Sequence, residues 1–298
     1  MILLSFNIKI EPSRDAFPLH LGGALHGFVE RAVLNHAPHL LPVLRPAGDD
    51  EYASLAIEPP PYGQPVTNHL RFGVVLFRDA TQSWSVITRA LIEQAPNGLN
   101  NCAIKIDSSS MIQPGSHVQP VVMNGRLIDP VPWPESPAAW LRRAEVTQPR
   151  PEALTTHLQT LEFRSPLLIG SRGSIRRDHQ VPWPTLKTLL DSLAKRMLAL
   201  EPELANFVGI AHGWRASELF EAVKPLTPAD APASQIQWPY AAHRGIFKPG
   251  IVGRLNFHAE LGPVELALLH WGQWLGVGQQ TTMGCGRYVY QPDRRLSN

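Results

Sequence analysis

The chain has 298 residues, 44% hydrophobic and 17% charged, enough to bury the core of one large or two ordinary domains and too apolar for a disordered chain. Its net charge of +2 hides an asymmetry: residues 1–163 hold 12 Lys and Arg against 15 Asp and Glu, a balance of −3, and residues 164–298 hold 15 against 10, a balance of +5. A polyanionic partner is therefore expected on the C-terminal half, while Cys102 and Cys285 are too few for a disulfide framework or a thiolate zinc site.

The opening MILLSFNIKIEP is not expected to be a signal peptide, because it lacks a long apolar run and meets Glu11 at once. No segment reaches the roughly 18 apolar residues of a membrane helix, so a cytoplasmic protein with no membrane partner is expected. Alternation at Leu4, Phe6, Ile8 and Ile10 predicts a half-buried strand over 2–10. In LHLGGALHGFVERAVLNH, residues 19–36, the spacing of Leu21, Leu25, Phe28, Val29 and Ala32 predicts an amphipathic helix ending before Pro38. Strands are predicted at 53–58 and 70–78, a helix at 82–94 with Gly98 as C-cap, and a strand from Cys102 to Ile106. The order β, α, β, β, α, β is that of a ferredoxin-like (RRM-like) fold over residues 1–112.

Residues 113–154 read as a proline-rich connection with hairpin-like elements and a short helix near 138–144. In the second domain, 155–298, a strand is predicted at 158–169, a helix at 185–200 and a helical patch at 216–223. A strand at 250–260, a helix at 263–274 and a strand at 287–291 follow. The overall expectation is an α+β chain of two ferredoxin-like domains in tandem.

Between that last helix and strand lies WLGVGQQTTMGCGRYVY, residues 274–290, with Gly276, Gly278, Gly284 and Gly286. Such glycines permit positive φ and let a phosphate or sugar approach main-chain N–H groups, with Arg287 adding a charge at the exit. A dinucleotide fingerprint is excluded because Thr281 stands at its third glycine position and the helix precedes the loop. A Walker loop is excluded by the missing Lys-Ser or Lys-Thr pair. A helix C-cap with a tight turn into an edge strand is the structural alternative.

The segment resembles the C-terminal glycine-rich loop of the RAMP superfamily of CRISPR-associated proteins. LRFGVVLFRDATQSWSVITRAL with GLNNCAIKI, and LEFRSPLLI, are similar to segments of the repeat-RNA (pre-crRNA processing) endoribonucleases within it. The resemblance implies a metal-independent nuclease with no cofactor. It would cut CRISPR repeat RNA, expected as a hairpin, by 2′-hydroxyl attack to leave a 2′,3′-cyclic phosphate. Other CRISPR effector subunits are the further partners implied. Non-catalytic RAMP-type RNA-binding subunits share the glycine-rich loop and form the alternative.

That reaction needs a base, an acid and a cation for the phosphorane. The resemblance places the usual histidine on or just after the first helix, where this chain has His20, His26, His36 and His39. His26 ranks first because it lies off the apolar stripe, followed by His20 at the helix start and His36 in its last turn. His39, flanked by Pro38, reads as a surface residue. Arg31 is the candidate cation, with pairing to Glu30 or solvent as its ordinary role. His36 and His39 do not form a metal pair, because Pro38 breaks the helical spacing, and no H-E-x-x-H occurs. Expected phosphate contacts in the second half are Arg172, Arg176 and Arg177 in GSRGSIRRDH, and Arg244, Lys248 and Arg254 in HRGIFKPGIVGR, with Phe247 able to stack on a base.

Overall fold

The computed structural model describes residues 1–11, 17, 19–44, 52–99, 102–113, 118–128, 158–168, 183–230, 232–241 and 246–292. The short helix expected near 138–144 lies outside them. The chain divides into two compact units. The first comprises residues 1–147 with 199–201 and 282–284; the second comprises the rest.

The first unit is built on strands β1 (Ile2–Ile10), β2 (Leu55–Glu58), β3 (His69–Leu76), β4 (Ile104–Ile112), β5 (Gln119–Met123) and β6 (Arg126–Leu127). They form one sheet in the order β2-β3-β1-β4-β5-β6, every neighbouring pair antiparallel. The first four strands with α1 (Gly22–His36) and α3 (Trp84–Gln94) make the ferredoxin-like arrangement that the element order predicts. The strands β5 and β6 extend its sheet from within the proline-rich stretch.

Alternation puts Leu4, Phe6 and Ile8 of β1 on the face that α1 covers, and Phe6 stacks on Phe72 of β3 with ring centroids 5.2 Å apart. Helix α1 contributes Leu25, Phe28, Val29, Ala32 and Val33, all essentially inaccessible. Burying each of the large ones is worth about 1.5–3 kcal/mol, so this stripe fixes the rotation of α1 and the direction of its histidines. The helix stops at Ala37, since Pro38 disfavours helical geometry in the residue before it. A 3₁₀ turn and the short α2 (Leu41–Leu44) follow.

The second unit has β7 (Leu158–Leu167), α4 (Leu186–Leu200), α5 (Pro202–Phe207), β8 (Ser234–Ala241), β9 (Ile246–His258), α6 (Pro263–Leu275) and β10 (Tyr288–Pro292). Its antiparallel sheet runs β10-β7-β9-β8, so β7-α4-β8-β9-α6-β10 is again ferredoxin-like. Two local expectations change here. Strand β8 fills a place that the periodicity reading left empty, and the helical patch at 216–223 is only a 3₁₀ turn over Glu218–Glu221, opened by the Ser217 side chain accepting from Leu219 N–H. Among the described residues no helix is long and apolar enough to cross a membrane.

Candidate nuclease site

Helix α1 begins against residues 282–284, which belong to the first unit. Gly22 makes the close approach possible: a Cβ there would overlap the Met283 carbonyl oxygen and the His20 ring. Just before the helix, His20 Nε2 lies 3.3 Å from that same oxygen. Burial disfavours the imidazolium and pulls the His20 pKa from 6.5 down to about 4, against a smaller upward push from the Met283 carbonyl. His20 is therefore neutral near pH 7, with Nε2–H donating to Met283 and the ring lone pair on Nδ1.

Six residues after His20 and within α1, His26 lines a cavity of about 240 Å³ with Val29, Glu30, Val33, Leu41, Ala53, Leu55 and Thr282. Its Nδ1 is 3.4 Å from Glu30 Oε1, one helical turn on, and the two side chains are 16% and 32% exposed. His26 thus lines a mostly apolar cavity. His20 and His26 are in this way both brought to residues 282–283, some 260 positions later in the chain.

The remaining candidates on the helix point elsewhere. His36 Nδ1 lies 3.1 Å from Glu93 Oε2 of α3, and it is about 15 Å along the helix axis from His26. His39 is exposed in the 3₁₀ turn. Arg31 is exposed, about 7.5 Å along the axis and 140° around it from His26.

In the second unit, Gly276, Gly278 and Gly286 hold φ of +72°, +86° and +70°; Gly284, in the first unit, holds +78°. A Cβ on Gly286 would overlap the Val277 carbonyl. Many of the loop's N–H groups are used inside the protein. Gly276 donates to Gly272 O, Val277 to Gly286 O, Gln279 to Leu168 O, Cys285 to Gln280 O and Gly286 to Pro166 O. Gly278 donates to Ser192 Oγ and Arg287 to Ser165 Oγ. The glycines thus stand in a tightly bonded turn in which these N–H groups are already engaged.

Arg287 departs most from expectation. It is buried at 6% exposure, and its guanidinium donates to the Gln273 and Trp274 carbonyls at the C-terminal end of α6. That is the helix end where a cation is favoured, so Arg287 braces the loop from within rather than offering a charge at its exit. Arg254 of β9 is half-buried, 3.8 Å from Asp230. Lys248 lies in β9 opposite Trp238 of β8. Arg172, Arg176, Arg177 and Arg244 lie outside the described residues. Among the described residues, no group of three His, Cys, Asp or Glu is placed to hold a metal ion.

Two participants were not singled out from the sequence. Glu30 carries a readable signal, a carboxylate four residues after a histidine on a helix. The Met283 carbonyl carries none, because a main-chain oxygen has no sequence signature.

Residues 161–288 match the family model of the CRISPR-associated endoribonuclease Cas6. No curated protein matches the chain. Among solved structures, a Cas6 product complex is 19% identical, with 97% of this chain and 99% of that chain covered and a TM-score of 0.58. A partial Cas6-RT-Cas1–Cas2 complex is 18% identical over 100% of this chain and 47% of that one, with a TM-score of 0.61. A Cas6 histidine-to-alanine mutant is 16% identical, with coverages of 98% and 100% and a TM-score of 0.53.

Proposed function

We propose that the protein, whose residues 161–288 match the Cas6 family model and whose chain shares the fold of solved Cas6 structures, cuts CRISPR repeat RNA into guide RNA with His26 as its catalytic base. The observation that carries this reading is the convergence of His20, His26, Thr282 and Met283 within the first unit.

His26 acts as the general base that takes the ribose 2′-hydroxyl proton. The 2′-oxygen attacks the adjacent phosphorus, the bond to the 5′-oxygen breaks and that oxygen takes a proton from solvent water, giving a 2′,3′-cyclic phosphate and a 5′-hydroxyl with no metal in the step. His20, neutral near pH 7, acts by position: it ties residue 283 to the start of α1 beside the reacting bond. The second unit, with its positive balance, grips the RNA hairpin through Lys248 and Arg254 and through the basic segments at 172–177 and 244. Gly276, Gly278, Gly284 and Gly286 shape the turn that presents residues 280–283. The solved Cas6-RT-Cas1–Cas2 complex makes other CRISPR proteins the natural further partners.

The test is purified protein incubated with end-labelled CRISPR repeat RNAs in excess EDTA. A single cut, abolished by a 2′-deoxy substitution at the cut site that leaves binding intact, is the expected result. Tight binding without cutting would replace the nuclease by a non-catalytic RNA-binding subunit. Loss of cutting on adding EDTA alone would overturn the metal-independent step.

A further inference from the structure

We propose that Glu30 is the positioning residue of this site: its carboxylate holds the proton on Nδ1 of His26, so that Nε2 is the nitrogen that exchanges a proton with RNA. The inference rests on the reading of His26 as the base and goes beyond it by assigning the nitrogen and the group that selects it. An imidazole has two nitrogens, and the hydrogen bond made by one decides which of them carries the lone pair. Glu30 follows His26 by one helical turn, which puts both side chains on the same flank of α1. The Nδ1–Oε1 distance is 3.4 Å and the side chains are 16% and 32% exposed, so the pair is partly withdrawn from solvent.

The surroundings give Glu30 the leading part. Its cavity neighbours from α1, α2 and the approach to β2 are Val29, Val33, Leu41, Ala53 and Leu55, none of them charged, and Thr282 adds a neutral hydroxyl. Tyr52 adjoins Ala53. From α3, Glu93 faces His36, and His20 faces Met283. Arg31, next along the helix, is exposed. Among the described residues lining the cavity, His26 and Glu30 are the titratable pair.

The experiment compares the full chain with Glu30→Gln and Glu30→Asp by NMR of the His26 ring nitrogens, and measures single-turnover cleavage against pH and repeat-RNA affinity for each. In the unsubstituted protein, neutral His26 carries its proton on Nδ1. Glu30→Gln removes the anion that favours the imidazolium, so the His26 midpoint moves to lower pH, the tautomers mix and the acid limb of the rate profile follows. Cleavage falls roughly tenfold to a hundredfold from lost orientation, with RNA affinity unchanged, and Glu30→Asp recovers part of the rate. An unchanged His26 midpoint and tautomer in Glu30→Gln would overturn the proposal. His26→Ala cutting at the original rate would instead overturn the reading beneath it, and the NMR result separates the two failures.

Discussion

The half-buried His20 gives the first unit a pH dependence set by its desolvation. Its pKa is near 4 in the folded chain against 6.5 for an ordinary histidine, with desolvation the main cause. Between these values the unfolded chain binds the proton that the folded one refuses, so stability rises with pH across the window and is lost as pH falls through 6.5 toward 4. A shift of this size is worth about 3 kcal/mol when fully expressed, and about 2 kcal/mol of it is lost between about pH 7 and pH 4.5. His20→Gln retains an N–H to offer Met283 and removes the titration. Guanidinium unfolding of both proteins at the two pH values isolates the contribution, because carboxylate titrations common to both cancel. The original protein should lose about 2 kcal/mol more than the variant on acidification. Parallel losses, agreeing within about 0.5 kcal/mol, would refute the assignment of His20 as a neutral framework histidine.

The neighbouring contacts give further expectations. Gly22→Ala places a methyl against the Met283 carbonyl, so the His20 midpoint followed by NMR should rise from about 4 toward 6.5; no movement would mean that the contact does not hold the ring. Gly286→Ala sets an L-residue at φ +70° against the Val277 carbonyl and should destabilise the second unit by at least about 2 kcal/mol in chemical unfolding. Arg287→Met strips a guanidinium from the α6 carbonyls and should cost about 1.5–3 kcal/mol with little direct effect on RNA affinity. Weaker RNA binding at unchanged stability would make Arg287 an RNA contact after all.

Much of the fold could be read from local pattern. The alternation of β1 and the apolar stripe of α1 declare their periods over nine and fifteen residues, and both elements formed as read. Strand β8 did not declare itself: SQIQWPYA interrupts its alternation with Pro239, and among the described residues the strand lies at the sheet edge beside β9. Serine and glutamates near 218 imitate a helix start, but only a single turn forms there.

The site was legible residue by residue but not as an assembly. A cluster of histidines on one helix is visible in sequence; which of them meets residues 282–283 depends on how α1 is rotated by its buried stripe, a long-range outcome. Arg287 misled for the same reason. An arginine after a glycine-rich turn looks like an exposed charge until the end of α6 is placed beside it.

Whether the histidines of α1 cut RNA is decided by single-turnover cleavage of a bound repeat RNA by the original chain and by His26→Ala. The variant is expected to bind with the same affinity and to cleave about 10²- to 10⁴-fold more slowly. Equal rates for the two proteins would contradict it.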